Sequence, residues 1–292
     1  MAGPLTFPDP IFPLTIDATG CSITLSGGLA TPVMCLNANA DIYLNSLTIA
    51  NGFNHGIVGC PAGGGSGGGI ITDGLIQLTN CTLTNNHSHS LGGAISTANR
   101  FITLINSTVT GNTAGVDGAA IFSDDGLTLI NTTITGNSSP GFSVSGSGVT
   151  APVALFNTIV DDAATATSGN CFSPTCTGCL PLVAGPDNQA NDDTCGNATV
   201  VTTADLHLGP LANNGGPTKT IALLTGSTAI NGGINAYAVD AGLIYDQRGN
   251  PFSRYSCGNV DVGAYEAQCT ICPSSNGFDT AFCPVDDAGL SE

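Results

Sequence analysis

The chain has 292 residues, of which 41% are hydrophobic and only 9% are charged, and its net charge at pH 7 is −17. Four basic residues are too few for a nucleic-acid-binding surface, because phosphate contacts need clustered Lys and Arg. Forty glycines, and nineteen Asp against two Glu, favour short strands and tight turns over helices. The twelve cysteines predict an oxidising setting with most or all of them oxidised, and no apolar stretch is long enough to span a bilayer.

The sequence divides into four parts. Residues 1–40 are expected to form an N-terminal arm and a first irregular rung, because prolines interrupt any regular element there. Residues 41–165 carry regular rungs, residues 166–268 form a cysteine-containing C-terminal region, and residues 269–292 form a tail with three further cysteines.

An internal repeat occupies the second part. Each copy places an asparagine between two short strand-like stretches, as in 101-FITLINSTVTGN-112 and 127-LTLINTTITGN-137. A third strand-like piece, such as 92-GGAIST-97, precedes these copies, and a glycine-rich insertion at 60–69 lengthens the first interval. The aligned asparagines lie 35, 26, 25 and 26 residues apart, at Asn45, Asn80, Asn106, Asn131 and Asn157.

Alternation within each copy predicts which side chains face the interior. Ile102 and Leu104 flank Thr103, and the other copies carry aliphatic residues at the same two places. One copy cannot bury its own apolar face, whereas a stack of copies about 4.8 Å apart can. The predicted fold class is all-β: a right-handed parallel β-helix with three strands and about 25–26 residues per rung.

Two columns of asparagine are predicted along this stack. The first contains the five aligned residues and is expected to form a structural asparagine ladder. The second lies six residues later, at Asn51, Asn86, Asn112 and Asn137. Asparagine tolerates the left-handed backbone that a sharp corner requires, and stacked amides can bond to one another.

A regular array of threonines follows the first column. On three successive rungs a T-x-T pattern flanks an inward aliphatic residue, and the array is expected to be exposed: Thr82, Thr84, Thr108, Thr110, Thr133 and Thr135. Threonine suits exposed parallel strands, which is the simpler explanation. A flat threonine grid also resembles the ice-binding face of some β-solenoids, so ice binding is a minor alternative.

Paired carboxylates are the groups that an enzyme of this fold would use on carbohydrate. Asp73 and Asp124 take the same place two rungs apart, with Asn99 between them, which separates the carboxylates by about 10 Å. Both lie in glycine-containing turns, so turn formation is the favoured interpretation and no catalytic residue is assigned. A carbohydrate-active lyase or glycosidase is the main alternative function.

No residue is assigned to a cofactor or a metal. Calcium is an open alternative because Asp and carbonyl groups crowd the turns, although 187–193 lacks the glycine and late Glu of an EF-hand. The C-x-x-C pairs at 176–179 and 269–272 favour disulfides over a zinc site. His87 and His89 have no third ligand at a recognisable spacing and are expected in a solvated turn.

Parts of the chain resemble a known group of exported proteins. Segments such as 103-TLINSTVTGNTA-114 resemble the repeats of bacterial β-helix surface proteins of the polymorphic outer-membrane type. Residues 209–233 and 246–266 are similar to the choice-of-anchor Q domain that closes many such proteins. Residues 166–268 are therefore interpreted as a choice-of-anchor Q-like region.

This resemblance implies a bacterial protein that is extracellular or located at the cell surface. It also implies a Cys171–Cys195 disulfide, because 170-NC-171 and 192-DDTCG-196 fit the family pattern. The sorting segment that the family carries after this domain is not recognised in 267–292.

Together these features predict an extracellular structural or adhesive protein without catalysis. A rung with unpaired backbone groups is a template for another chain, so the protein is expected to form homo-oligomers or filaments. Surface glycans are a further candidate partner. Nucleic acid is not expected as a partner.

Overall fold

The computed structural model describes most of the chain, with its gaps between the following ranges: residues 3–7, 13–36, 41–56, 65–97, 100–139, 142–146, 152–162, 165, 167–171, 182–256, 258–271 and 282–284. Over these residues the chain passes repeatedly through three parallel sheets and builds a β-solenoid. The all-β parallel solenoid predicted from the repeat is confirmed.

Each turn contributes one strand to each sheet. Sheet 1 contains β1 (Leu5–Phe7), β4 (Met34–Leu36), β8 (Ile70–Thr72), β12 (Ile95–Thr97), β16 (Ile121–Ser123), β19 (Phe142–Gly146) and β22 (Gly169–Cys171). Sheet 2 contains β2 (Leu14–Asp17), β5 (Ile42–Asn45), β9 (Ile76–Thr79), β13 (Ile102–Ile105), β17 (Leu127–Ile130), β20 (Val153–Phe156) and β23 (Val183–Ala184). Sheet 3 contains β3 (Ile23–Ser26), β6 (Leu47–Ala50), β10 (Thr82–Thr84), β14 (Thr108–Thr110), β18 (Thr133–Thr135), β21 (Ile159–Asp161), β24 (Gln189–Ala190) and β25 (Thr199–Val200).

Smaller elements complete the structure. A three-stranded parallel sheet follows sheet 3 in the middle turns and contains β7 (Phe53–Asn54), β11 (His87–Ser88) and β15 (Thr113–Ala114). After the solenoid come α1 (Thr203–Leu206), the antiparallel strands β26 (Leu208–Ala212) and β27 (Thr220–Leu223), and α2 (Asn235–Asp240). A last antiparallel pair joins β28 (Cys269–Ile271) to β29 (Phe282–Pro284). The three sheets thus extend beyond residues 41–165 on both sides.

Inward side chains form continuous aliphatic columns. In sheet 2, Ile102 lies between Ile76 and Leu127 of the adjacent turns, and all three are fully buried. Burial of each such side chain contributes about 1.5–3 kcal/mol. Further columns in sheets 2 and 3 have the same construction: Leu44, Leu78, Leu104, Leu129 and Leu155; Ile49, Leu83, Val109, Ile134 and Val160.

A single residue with left-handed backbone turns the chain from sheet 2 into sheet 3. Four of the predicted asparagines occupy this corner, with φ between 45° and 55°: Asn80, Asn106, Asn131 and Asn157. In the earlier turn Ser46 takes the corner, with a φ of 58°. Asn45 instead pairs in register with Thr79, one residue before the corner. The alignment of Asn45 with the later corners was therefore wrong by one residue.

A second, inner ladder of asparagine amides follows sheet 3. The Nδ2 of Asn86 donates to Oδ1 of Asn112 at 2.9 Å, and Asn112 donates in the same way to Asn137 at 2.9 Å. Asn137 continues the ladder to the carboxylate of Asp162, also at 2.9 Å. All four residues are buried, so each amide replaces water as the partner of its neighbour.

Asn51, predicted as the first member of this second column, lies outside the inner ladder. The backbone N–H of Gly52 donates to Oδ1 of Asn86 at 2.9 Å, so Gly52 is the residue in register with Asn86. Asn51 accepts a bond from Nδ2 of the exposed Asn85 at 2.6 Å instead. The one-residue difference from the predicted alignment, first seen at Ser46, therefore persists at Gly52 in the same turn.

Replacing Asn112 by Ala should lower the free energy of unfolding by about 3 kcal/mol, because several buried polar groups lose a hydrogen-bond partner. The Nδ2 of Asn112 donates to the Leu83 carbonyl at 3.0 Å, and its Oδ1 accepts from the backbone N–H of Asn86 at 3.0 Å. Urea unfolding measures the change. The matched control is Asn197→Ala, an exposed asparagine, for which a change within about 0.5 kcal/mol is expected. Equal losses in the two variants would show that the ladder does not stabilise the fold.

Candidate functional site

In the described part of the chain, the first turn of the solenoid has no strand on its outer side. Strands β1, β2 and β3 are the terminal strands of sheets 1, 2 and 3, and no described strand pairs with their outer sides. Leu5 is 44% exposed and Ile23 is 42% exposed at this end. Between them, beside β3, lies a groove of about 470 Å³ that is lined by Leu5 and the stretch from Thr24 to Gly28. Unpaired backbone groups beside apolar side chains are a template for an added strand.

The opposite end of the solenoid is partly covered by its own chain. The backbone N–H groups of Asn170 and Cys171 in β22 donate to the side chains of Asp192 at 2.9 Å and Thr194 at 3.0 Å, and the N–H of Asn197 donates to the carbonyl of Ala184 in β23 at 3.3 Å. Strands β22, β23 and β25 terminate sheets 1, 2 and 3 there. Val183 in β23 is 42% exposed, and Val200 in β25 is 57% exposed. A head-to-tail contact is therefore geometrically feasible at β25 in sheet 3, where both residues of the strand are exposed.

Residues 201–268, called the C-terminal strap from here on, run back along the corner between sheets 2 and 3. Near the last turns, Thr203 donates to the carboxylate of Asp161 at 2.5 Å. Further back, the Nδ2 of Asn157 donates to the carbonyl of Ile234 at 3.0 Å. Furthest from the last turns, Thr218 of the strap donates to the Asn80 carbonyl at 3.1 Å.

The C-terminal strap buries half of the predicted threonine array. Thr82, Thr108 and Thr133 are fully buried or nearly so, which contradicts the expected exposure. Their hydroxyls bond to the strap: Thr82 to the Lys219 carbonyl at 2.6 Å, Thr108 to the Gln247 side chain at 2.6 Å, and Thr133 to the backbone N–H of Ala264 at 2.9 Å. The second column is partly exposed: Thr84, Thr110 and Thr135. A flat two-column grid for ice is therefore absent from this face.

The strap also interrupts the predicted asparagine ladder. Asn106 donates to Asn80 at 2.7 Å, and Asn157 donates to Asn131 at 3.4 Å, as the ladder predicts. Between these pairs, Oδ1 of Asn106 accepts from Arg254 at 2.7 Å, and Asn131 donates to carbonyls of the strap. Asn80 donates to Asn45 at 3.3 Å despite the change in register. The ladder thus consists of two segments with a guanidinium between them.

Arg248 is buried and connects two separate parts of the strap by hydrogen bonds. Its guanidinium donates to the Asp246 carboxylate at 2.7 Å and to the Glu266 carbonyl at 2.7 Å. The side chains of Arg248 and Asp246 are both fully buried. The rings of Phe252 and Tyr265 lie on the guanidinium, each with its centroid 3.8 Å away. Buried ion pairs persist only with such complete bonding, because charges are costly to remove from water.

Arg254 also lies beside a buried carboxyl group, with its Nη1 donating to Oε2 of Glu266 at 3.2 Å. The Oε2 of Glu266 also accepts from the backbone N–H of Asp261 at 2.9 Å, whereas Oε1 has no hydrogen-bond partner. Burial, and then the negative charge of Asp261, raise the pKa of Glu266 to about 9. Burial raises the pKa of Asp261 to about 6.

Sequence analysis missed this cluster, although the chain offered one indication of it. Two of only four basic residues, Arg248 and Arg254, fall within seven positions of the strap. In a chain so poor in cations, such a local pair points to a specific use for the charge.

A groove also lies between the strap and the early turns. This groove of about 680 Å³ is lined by Thr19, Ser46 and Asn80 of the solenoid and by Pro217, Tyr245 and Asp246 of the strap, among others. The carboxylate of Asp246 is already bonded to Arg248. The groove therefore offers mainly apolar and amide surface rather than a free acid or base.

Asp73 and Asp124 directly follow β8 and β16 in sheet 1, two turns apart as predicted. Burial raises the pKa of both carboxyls, and Oδ1 of Asp73 is buried without a hydrogen-bond partner. Asn99, predicted between them, lies outside the described residues. The two carboxyls share a face but are about 10 Å apart.

The cysteines behave differently from one another. The Cys171–Cys195 disulfide implied by the family resemblance is confirmed, with the two Cα atoms 5.0 Å apart, and Cys35 is also disulfide-bonded. Cys21 and Cys81 are free thiols, so the cysteines of the described residues are not all oxidised. Burial raises the pKa of Cys81 to about 12. Three cysteines of the C-x-x-C pairs lie outside the described residues: Cys176, Cys179 and Cys272.

Among the described residues, no helix combines the length and the apolar character that crossing a bilayer demands. In the same part of the chain, no three His, Cys, Asp or Glu side chains converge as a metal site of three protein ligands requires. Comparison with protein-family models, with curated proteins and with solved structures finds no match to this chain. Its function is therefore inferred from its own strand edges and side chains.

Replacing Glu266 by Gln should remove much of the pH dependence of stability. The proton on Glu266 stabilises the fold fully below about pH 4.5, and this contribution is lost as the pH rises through about 9. Asp261 adds a parallel loss that is complete once the pH has passed through about 6. Glutamine is neutral throughout, so the wild-type protein should lose stability towards high pH and E266Q should lose less.

Urea unfolding at a series of pH values measures this difference. The matched control is Asp193→Asn, which removes an exposed carboxylate and should run parallel to the wild-type curve. A constant difference between E266Q and the wild type at every pH would show that Glu266 is ionised in the folded protein.

Proposed function

We propose that this chain is an extracellular structural or adhesive protein that associates head to tail with further copies of itself. The open edges of β1, β2 and β3 carry this proposal, since unpaired parallel strands bind most readily to strands of the same direction and spacing. A second copy offers such a strand at its last turn, namely β25, both of whose residues are exposed. A heterologous contact of this kind repeats without closing and generates a filament.

The disulfides and the composition support the location. Cys171–Cys195 and the disulfide at Cys35 suit an oxidising compartment. We further propose a bacterial source, with the strap acting as the choice-of-anchor Q-like region that its sequence resembles. In this proposal, the buried pairs of Arg248 and Arg254 hold that region on the solenoid. Surface glycans are candidate ligands for the exposed faces.

Leu5→Lys and Ile23→Lys should each abolish head-to-tail association, because an added strand would strip the hydration from an edge lysine and would lose the apolar contact. The wild-type protein should form oligomers at micromolar concentration in moderate salt, where the repulsion between chains of charge −17 is screened. Sedimentation velocity and electron microscopy measure the outcome.

Val239→Lys is the matched control for the edge variants. Val239 is 60% exposed in α2, away from the open edges, so this variant should still assemble. A wild-type protein that stays monomeric, or a V239K protein as impaired as the edge variants, would refute assembly through the first turn.

A carbohydrate-active enzyme is the second candidate function. The observation in its favour is the raised pKa of both Asp73 and Asp124 on one face, with an unbonded Oδ1 on Asp73. An acid and a base about 10 Å apart lie near the upper limit for hydrolysis with inversion. Under this alternative, a panel of polysaccharides should yield reducing ends or unsaturated products with the wild type and none with Asp73→Asn. Absence of product with the wild type, or undiminished product with D73N, would argue against it.

A further inference from the structure

Three of the four histidines lie together on one outer face of the solenoid. Strand β11 pairs in register with β7, so that His87 lies opposite Phe53 and Ser88 opposite Asn54. One residue further, His89 therefore lies beside His55. Asn54 and Ser88 are buried, which directs the alternate side chains outwards. His87 belongs to a strand, so the expected solvated turn was wrong for it.

Phe53 and Thr113 hold the ring of His87. The rings of Phe53 and His87 stack with centroids 4.9 Å apart, and Nδ1 of His87 is 2.5 Å from the hydroxyl oxygen of Thr113. The Phe53 ring also contacts His55, with centroids 5.1 Å apart. Phe53 thus restricts the ring of His55 on one side, while Nδ1 of His87 is already bonded to the Thr113 hydroxyl.

His55 and His89 are exposed, and neither imidazole has a hydrogen-bond partner among the described residues. Glycines flank the pair. Gly115 continues β15 beside His89, and a Cβ added to Gly65 would lie only 3.2 Å from the Cβ of His89. Among the described residues, neither of these two neighbouring positions carries a side chain beside the pair.

We propose that His55 and His89 bind one divalent transition-metal ion of the class that prefers imidazole, such as Ni²⁺, Cu²⁺ or Zn²⁺. Aligned residues of neighbouring parallel strands are about 4.8 Å apart, a separation from which two imidazoles can both reach an ion at about 2.0–2.1 Å. Imidazole nitrogen selects these ions over Ca²⁺ and Mg²⁺, which prefer oxygen. Water fills the remaining coordination positions.

Isothermal titration calorimetry with Ni²⁺ alone tests the site. All proteins carry Cys21→Ser, which removes an exposed thiol that could bind metal by itself. One Ni²⁺ per chain should bind to this parent protein. His55→Ala and His89→Ala should each weaken the affinity at least about tenfold, because a chelate loses its intramolecular second ligand.

His207→Ala is the matched control, since this fourth histidine lies in the C-terminal strap, where its Nδ1 is 3.0 Å from the Thr225 carbonyl oxygen. It should bind Ni²⁺ like the parent protein. His55→Gln, which keeps a polar side chain of similar size, should weaken binding as His55→Ala does, and urea midpoints verify that each variant is folded. The site is refuted if the parent binds no Ni²⁺ saturably, if H55A and H89A bind it undiminished, or if H207A is equally weakened. The site does not depend on self-association, so failure of either proposal leaves the other standing.

Discussion

The backbone hydrogen bonds between successive turns fix the register of every column of side chains in this solenoid. Because Ile102 must lie between Ile76 and Leu127, the residues before and after them are placed as well. The same register stacks Asn86 on Asn112 and brings His55 beside His89. Inserting or deleting one residue at a corner would therefore shift the register of a whole turn. In the turn that has Ser46 rather than asparagine at this corner, the serine adopts the left-handed conformation instead.

The C-terminal strap depends on a different interaction, the burial of charge. Two guanidinium groups lie inside a protein whose solenoid part is held by aliphatic and amide columns. Such pairs contribute little net stability but strongly disfavour any arrangement that leaves one partner unpaired. Arg254 bonds both to Glu266 of the strap and to Asn106 of the solenoid. This choice of partners makes the position of the strap specific. It also interrupts the predicted asparagine ladder between Asn106 and Asn131, because Oδ1 of Asn106 accepts from Arg254.

Local periodicity allowed the solenoid, but not its covering, to be predicted. Alternation around Thr103 predicts inward and outward faces, because the side-chain period of a strand is a local property. The corner asparagines were recognisable for the same reason, whereas Asn45 lies one residue before its corner, which Ser46 occupies. Thr82 and Thr108 obey the outward pattern, yet they are buried by residues more than a hundred positions later. Nothing in the repeat itself encodes that contact.

The distribution of charge decides what kind of contact two copies could make. Arg248 and Arg254 are buried and paired, so only Arg100 and Lys219 among the basic residues are exposed to oppose the many acidic groups. Charge complementarity therefore cannot bring two copies together, and their net charges repel. An association between copies has to depend on backbone hydrogen bonds and apolar side chains at the open edges, which act at short range. Such contacts strengthen relative to repulsion when salt shortens the screening length, so association between copies should increase with ionic strength.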